Sequence, residues 1–168
     1  METLNQNDIK GKFWNQDQIS VHPTVIFWKI DKVEKPKRIV ITHLSDIISH
    51  SAQMVYFITK DCIEKLLDMF PDTPITKMYL WSDGCASQYK GKTSFFYLDQ
   101  FEVNIERNFF GSEHGKGESD AETGTISRLY TNTVRAHETI ILNESDLRDY
   151  LDKKKIKIMT RLIMKKNA

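Results

Sequence analysis

Asp83 ends the short apolar run Tyr79-Leu80-Trp81-Ser82 and is followed by Gly84, while Asp120 follows a glycine-rich stretch and opens a predicted helix. Hard divalent cations take carboxylate oxygens, and two cations that clamp a phosphate during in-line displacement need carboxylates converging from separate elements. Asp83 at a strand end, with Asp120 or Glu122 on the following helix, supplies two of them. Mg2+ or Mn2+ is therefore the expected cofactor, and cleavage of a phosphodiester the expected chemistry. Asp83, Asp120 and Glu122 are the candidate metal ligands. His114, between the two aspartates, joins Asp83 and Asp120 as a candidate catalytic group that contacts phosphate or moves a proton, with Lys116 beside it. A third converging carboxylate has no obvious source, since Glu2, Asp8 and Asp17 are the only acids before the first firm strand and none sits in a strand pattern.

Other chemistries fit these residues less well. A phosphate-cradling P-loop needs four residues between its first glycine and its Gly-Lys pair, then Ser or Thr; here Gly111 and Gly115-Lys116 are closer and Gly117 follows. Asp83, Cys85, His114 and Asp120 as a zinc set match no zinc-ligand spacing. Ser82-Asp83-Gly84 also reads as an ordinary turn, because Asp-Gly is common turn chemistry. The ligand reading is favoured because the second half of the site is present. In that reading Gly84 admits a close approach, and a helix starting near Ser87 offers N–H groups to an anion.

The elements that position these residues follow from periodicity. Ile19 to Ile30 is rich in Val, Ile, Phe and Trp and reads as a strand; lysines around Pro36 mark a turn into a second strand, Arg38 to Leu44. Met54, Phe57, Ile58, Ile63, Leu66, Leu67 and Phe70 recur at three- and four-residue steps, which predicts a helix from about Ser49 to Phe70, stopped by Pro71. Then come a strand Lys77 to Asp83, a helix Ser87 to about Asp99, a strand Val103 to Phe110, a helix from about Asp120 to Tyr130, a helix from about Ser145 to Lys154, and an apolar segment Ile156 to Met164. Ligands in open α/β sheets sit beyond the carboxyl ends of strands, which is where Asp83 falls. The first dozen residues show no clear period.

The expected fold class is α/β: an RNase H-like mixed sheet flanked by helices, in one domain over 1–168, with the first strand of that order missing or imperfect. Three blocks carry a closer resemblance: Trp14-Asn15-Gln16-Asp17-Gln18-Ile19-Ser20-Val21-His22-Pro23, Trp81-Ser82-Asp83-Gly84-Cys85-Ala86-Ser87-Gln88-Tyr89-Lys90, and Phe109-Phe110-Gly111-Ser112-Glu113-His114-Gly115-Lys116-Gly117 with Asp120. From about Asn7 to Lys157 the chain resembles transposase-derived animal proteins with an RNase H-like core of the DDE/D transposase and integrase type. In that family the third block continues with Asp-Gly and a Gly-Gly pair; here Ala121 and Thr123-Gly124 stand in those places. The resemblance also implies an aspartate-bearing first strand ahead of Asn7-Asp8-Ile9 that this chain lacks. It implies ancestral metal-dependent DNA strand cleavage or transfer, weak or lost here, or else a non-catalytic domain that binds DNA or protein.

Composition limits the alternatives. With 168 residues, 40% hydrophobic and 28% charged, the chain has enough apolar material for a globular core, and a net charge of +1 leaves any DNA contact to local patches. No signal peptide is recognisable and no run approaches the ~18 apolar residues of a membrane span, so an intracellular location is expected, nuclear if the chain binds DNA, with no membrane partner. Cys62 and Cys85 read as free thiols, and Asn143-Glu144-Ser145 as helix N-terminal chemistry rather than a glycosylation sequon. The basic segment from Lys153 to Lys166 reads as an edge strand guarded by lysines in preference to a nucleic-acid-facing edge or a nuclear-import signal, and Trp14, Trp28 and Trp81 as core residues in preference to platforms for bases. A sheet without its first strand leaves edges open, so self-association is a further expectation.

Overall fold

The computed structural model describes residues 19–29, 35–46, 51–111, 117–136, 141–154 and 159–163. Strands β1 (Ser20–Trp28) and β2 (Lys37–Ser45) pair antiparallel, with Ser20 opposite Ser45 and Trp28 opposite Lys37. The two strands make an antiparallel pair, and Pro23 is tolerated because among the described residues β1 lies at the edge of its sheet. On the other side of β2 the strand β5 (Met159–Ile163) pairs in parallel, Ile41 with Met159 and Ser45 with Ile163. Met159–Ile163, within the apolar C-terminal segment, is therefore an edge strand among the described residues. β2 is central and is buried on both faces from Val40 to Ser45.

Alternation along β2 sends its two sets of side chains to different helices. His43 points to helix α1 (Ala52–Met69), where its Nε2 lies 3.0 Å from the Asp61 carboxylate. Trp28 stacks on Phe70, just past the end of the same helix, with ring centroids 5.0 Å apart. Ser51 caps α1 by accepting from the Met54 N–H at 3.2 Å. The opposite face of the sheet carries Leu44, which packs with Ile126, Ile141, Leu147 and Leu151. These residues place helices α3 (Glu118–Arg135) and α4 (Glu144–Lys153) on that side. Asn143 caps α4 by accepting from Asp146 N–H at 2.9 Å, and Asp146 accepts from Leu142 N–H at 3.0 Å, so the sequon-like triplet does serve a helix start.

The second sheet is separate. β3 (Lys77–Ser82) and β4 (Asn104–Phe109) form a two-stranded parallel pair, Lys77 opposite Asn104 and Ser82 opposite Phe109. Between them the chain makes one π-helical turn, Ala86–Lys90, and helix α2 (Lys92–Leu98), interrupted at Gly91. The single helix expected from Ser87 is thus two pieces. Tyr56 of α1 meets Tyr97 and Phe101 at centroid distances of 4.9 and 5.1 Å and fastens this half to the other. Among the described residues the architecture is α/β with two small sheets and helices. No described helix is long and apolar enough to cross a membrane.

Candidate functional site

Asp83 leaves the carboxyl end of β3, as the sequence suggests. Its Oδ1 accepts the Cys85 N–H at 2.9 Å, so the carboxylate closes a local turn and keeps its second oxygen for another partner. The position above Gly84 is held by Lys90: a Cβ added to Gly84 would meet the Lys90 Nζ at 2.7 Å. The same ammonium lies 4.8 Å from the centre of the Phe109 ring and makes no ion pair among the described residues. A cation, rather than an open helix N-terminus, therefore covers the Asp83-Gly84 corner. The π-helical turn that follows spans only five residues, Ala86–Lys90, where a longer helix from Ser87 is expected.

Phe110 connects the two halves of the candidate site. Its N–H donates to the Ser82 carbonyl at 2.9 Å, extending the ladder one step past β4, and its ring lies 4.0 Å from where a Cβ on Gly117 would stand. Asp120, three residues after Gly117, accepts the Gly117 N–H on Oδ2 at 3.2 Å and so caps the start of α3. Asp83 thus follows Ser82, the partner of Phe110 at the carboxyl end of the two-stranded sheet, and Asp120 holds Gly117, which faces the Phe110 ring. His114 and Lys116 lie outside the described residues.

Glu122 has a different role from the one its position in the sequence suggests. Arg38 of β2 donates from Nη2 to the Glu122 Oε1 at 2.5 Å and to the Glu118 Oε2 at 3.0 Å, and from Nε to the Glu118 Oε2 at 3.1 Å. The hydrogen bond to Glu122, then that to Glu118, holds the guanidinium above its ordinary pKa. Glu122 is turned toward β2 and neutralised there, and a carboxylate so engaged is a poor cation ligand. Sequence reading has no signal for this contact, since Arg38 belongs to a strand far away in the chain.

Among the described residues no three His, Cys, Asp or Glu side chains group as a metal site. Each remaining aspartate has one oxygen committed to a backbone N–H. Mg2+ and Mn2+ demand several converging oxygens, so the donor set described here does not fit a two-cation centre. Behind Asp83, Tyr89 is the best-defined neighbour: burial first, and the Asp83 charge second, push its phenol above the ordinary value. Its carbonyl accepts from Arg107 Nη1 at 3.2 Å, and Ser94 Oγ accepts from the same nitrogen at 2.7 Å. Burial lowers the Arg107 pKa, and its Nε has no partner among the described residues. This buried framework fixes the back of β4 against α2.

The tryptophans divide. Trp28 is 8% exposed and packs as expected, whereas Trp81 is 56% exposed and is not a core residue. Trp14 lies outside the described residues. No curated protein matches the chain, and no solved structure does either. The match that does exist covers residues 1–168, and through it the chain belongs to the family described as a domain of unknown function, DUF8701.

Proposed function

We propose that this chain is a transposase-derived, RNase H-like domain that binds DNA, and in which metal-dependent strand cleavage is weak or lost. The observation that carries the reading is the fate of the carboxylates. Asp83 stands at the carboxyl end of a parallel strand pair, where ligands of α/β sheets sit, and Asp120 caps the helix that starts beside Phe110, but Glu122 is paired with Arg38. Lys90, without an ion pair among the described residues, supplies a positive charge at that end for a phosphate.

The test is a calorimetric Mn2+ titration of the chain and of Asp83→Asn, run beside a nicking assay on supercoiled DNA and a DNA-retention gel over a salt series. The expected result is little heat, no nicking, and retention that weakens as salt rises, the mark of phosphate contacts. Metal-dependent nicking that disappears in Asp83→Asn would instead make the chain an active nuclease.

A further inference from the structure

Among the described residues no element covers the outward face of the β3/β4 sheet, and its composition is unusual. Parallel sheets are normally buried on both faces. Here Arg107 and its neighbours pack inward on α2, while Lys77, Tyr79 and Trp81 of β3 and Asn104, Glu106 and Asn108 of β4 project to the other side. Tyr79 is 57% exposed and Trp81 56%, and Trp81 continues into Phe110, ring centroids 5.5 Å apart. The three rings form a row that ends at the Asp83 corner.

Three features decide what could cover this row. The first is charge. The Lys77 Nζ lies 4.5 Å from the centre of the Tyr79 ring at one end, and beyond the other end Lys90 stands at the Gly84 corner, against the Phe109 ring of the inward face. The second is the neighbouring strand, which sets two amides and the Glu106 partner of Lys77 (3.0 Å) beside the rings. An apolar protein surface would meet a desolvated ion pair there, and interface cores are depleted of charge. Amides such as Asn108, opposite Trp81, instead match the hydrogen-bonding edges of bases. The third is spacing. Tyr79 and Trp81 are alternate residues of one strand, about 6.6 Å apart, twice the ~3.4 Å rise per nucleotide of a stacked strand. Bases held on both rings must be unstacked from each other, which a duplex does not allow.

We propose that this face binds single-stranded DNA, with bases stacked on Tyr79, Trp81 and Phe110 and phosphates near Lys77 and Lys90, directing the strand toward Asp83. The proposal rests on the DNA-binding reading above and names its substrate class. Aromatic platforms of this kind bind with little sequence preference, because every base has a π-face.

The test is fluorescence anisotropy of a labelled oligothymidylate and of a labelled duplex with the full chain in EDTA. Trp81→Ala, Tyr79→Ala, Trp81→Phe and the distant surface variant Asp149→Asn are measured alongside, and light scattering follows the mass of each. Binding of the single strand is expected to weaken roughly 5- to 100-fold in each alanine variant, to persist in Trp81→Phe, and to be unchanged in Asp149→Asn. Both positions are exposed, so the variants keep the fold, and the Phe variant separates loss of a ring from loss of structure. Duplex bound as tightly as the single strand, with no effect of Trp81→Ala, overturns the platform and leaves the DNA-binding reading standing. No binding of either nucleic acid overturns both. A mass that falls in Trp81→Ala while DNA binding does not change overturns the proposal and makes the face an interface between copies.

Discussion

Single side chains explain why this site departs from a simple metal centre. Arg38 engages Glu118 and Glu122 from another element, so Arg38→Gln should free two carboxylates beside Asp120 and raise Mn2+ affinity, a gain that calorimetry would detect. Unchanged affinity would mean that the ion pair is not what withholds Glu122. Tyr89 gives a pH-dependent signature. Its folded-state pKa is raised above the ordinary 10.0, chiefly by burial, so the folded protein keeps a proton that the unfolded chain releases. The contribution is fully present below pH 10 and is lost as pH rises through the folded value. Denaturation midpoints should therefore fall more steeply above pH 10 in the native sequence than in Tyr89→Phe. At this scale the sequence was partly legible. Asp83 at a strand end and Asp120 at a helix start could be read from local pattern, whereas Glu122 could not, because its partner is set by tertiary packing alone.

Elements with a strong local period were the most readable. α1 has an apolar stripe, a serine cap and a proline just beyond its end, and β1 and β2 are framed by a basic turn; each lies within a few residues of its expected span. The helix expected from Ser87 was misjudged because Gly91 breaks it, and the Arg107 contacts to Tyr89 and Ser94 then hold the two pieces. α3 extends beyond its expected span at both ends and runs straight through Gly124, where nothing lies within 4 Å of an added Cβ. Glycine in an exposed helix interior costs about 1 kcal/mol relative to alanine, so Gly124→Ala should stabilise the protein by about that amount in a denaturant titration. If DNA retention falls at the same time, Gly124 serves a close approach by the ligand and not the helix.

At the scale of the whole molecule, a three-stranded and a two-stranded sheet leave several strand edges without a neighbour among the described residues. Such edges are templates for pairing, and light scattering over a concentration series should show mass rising with concentration. A constant monomer mass would mean that the edges are guarded well enough by Pro23 and the charged flanks. The two-sheet division was the least legible feature, since pairing between distant strands leaves no local mark. One pairing has a consequence for the order in which the chain can mature. β2, the most buried strand, is flanked by β1 immediately but by β5 only when Met159–Ile163 arrives. During synthesis the hairpin and α1 can assemble early, yet one side of the central strand must wait until Met159–Ile163 has emerged, leaving Leu44 and its neighbours dependent on late-arriving cover. Chains interrupted before β5 would therefore be prone to capture by chaperones and proteases, even though every residue of the candidate site had already been made.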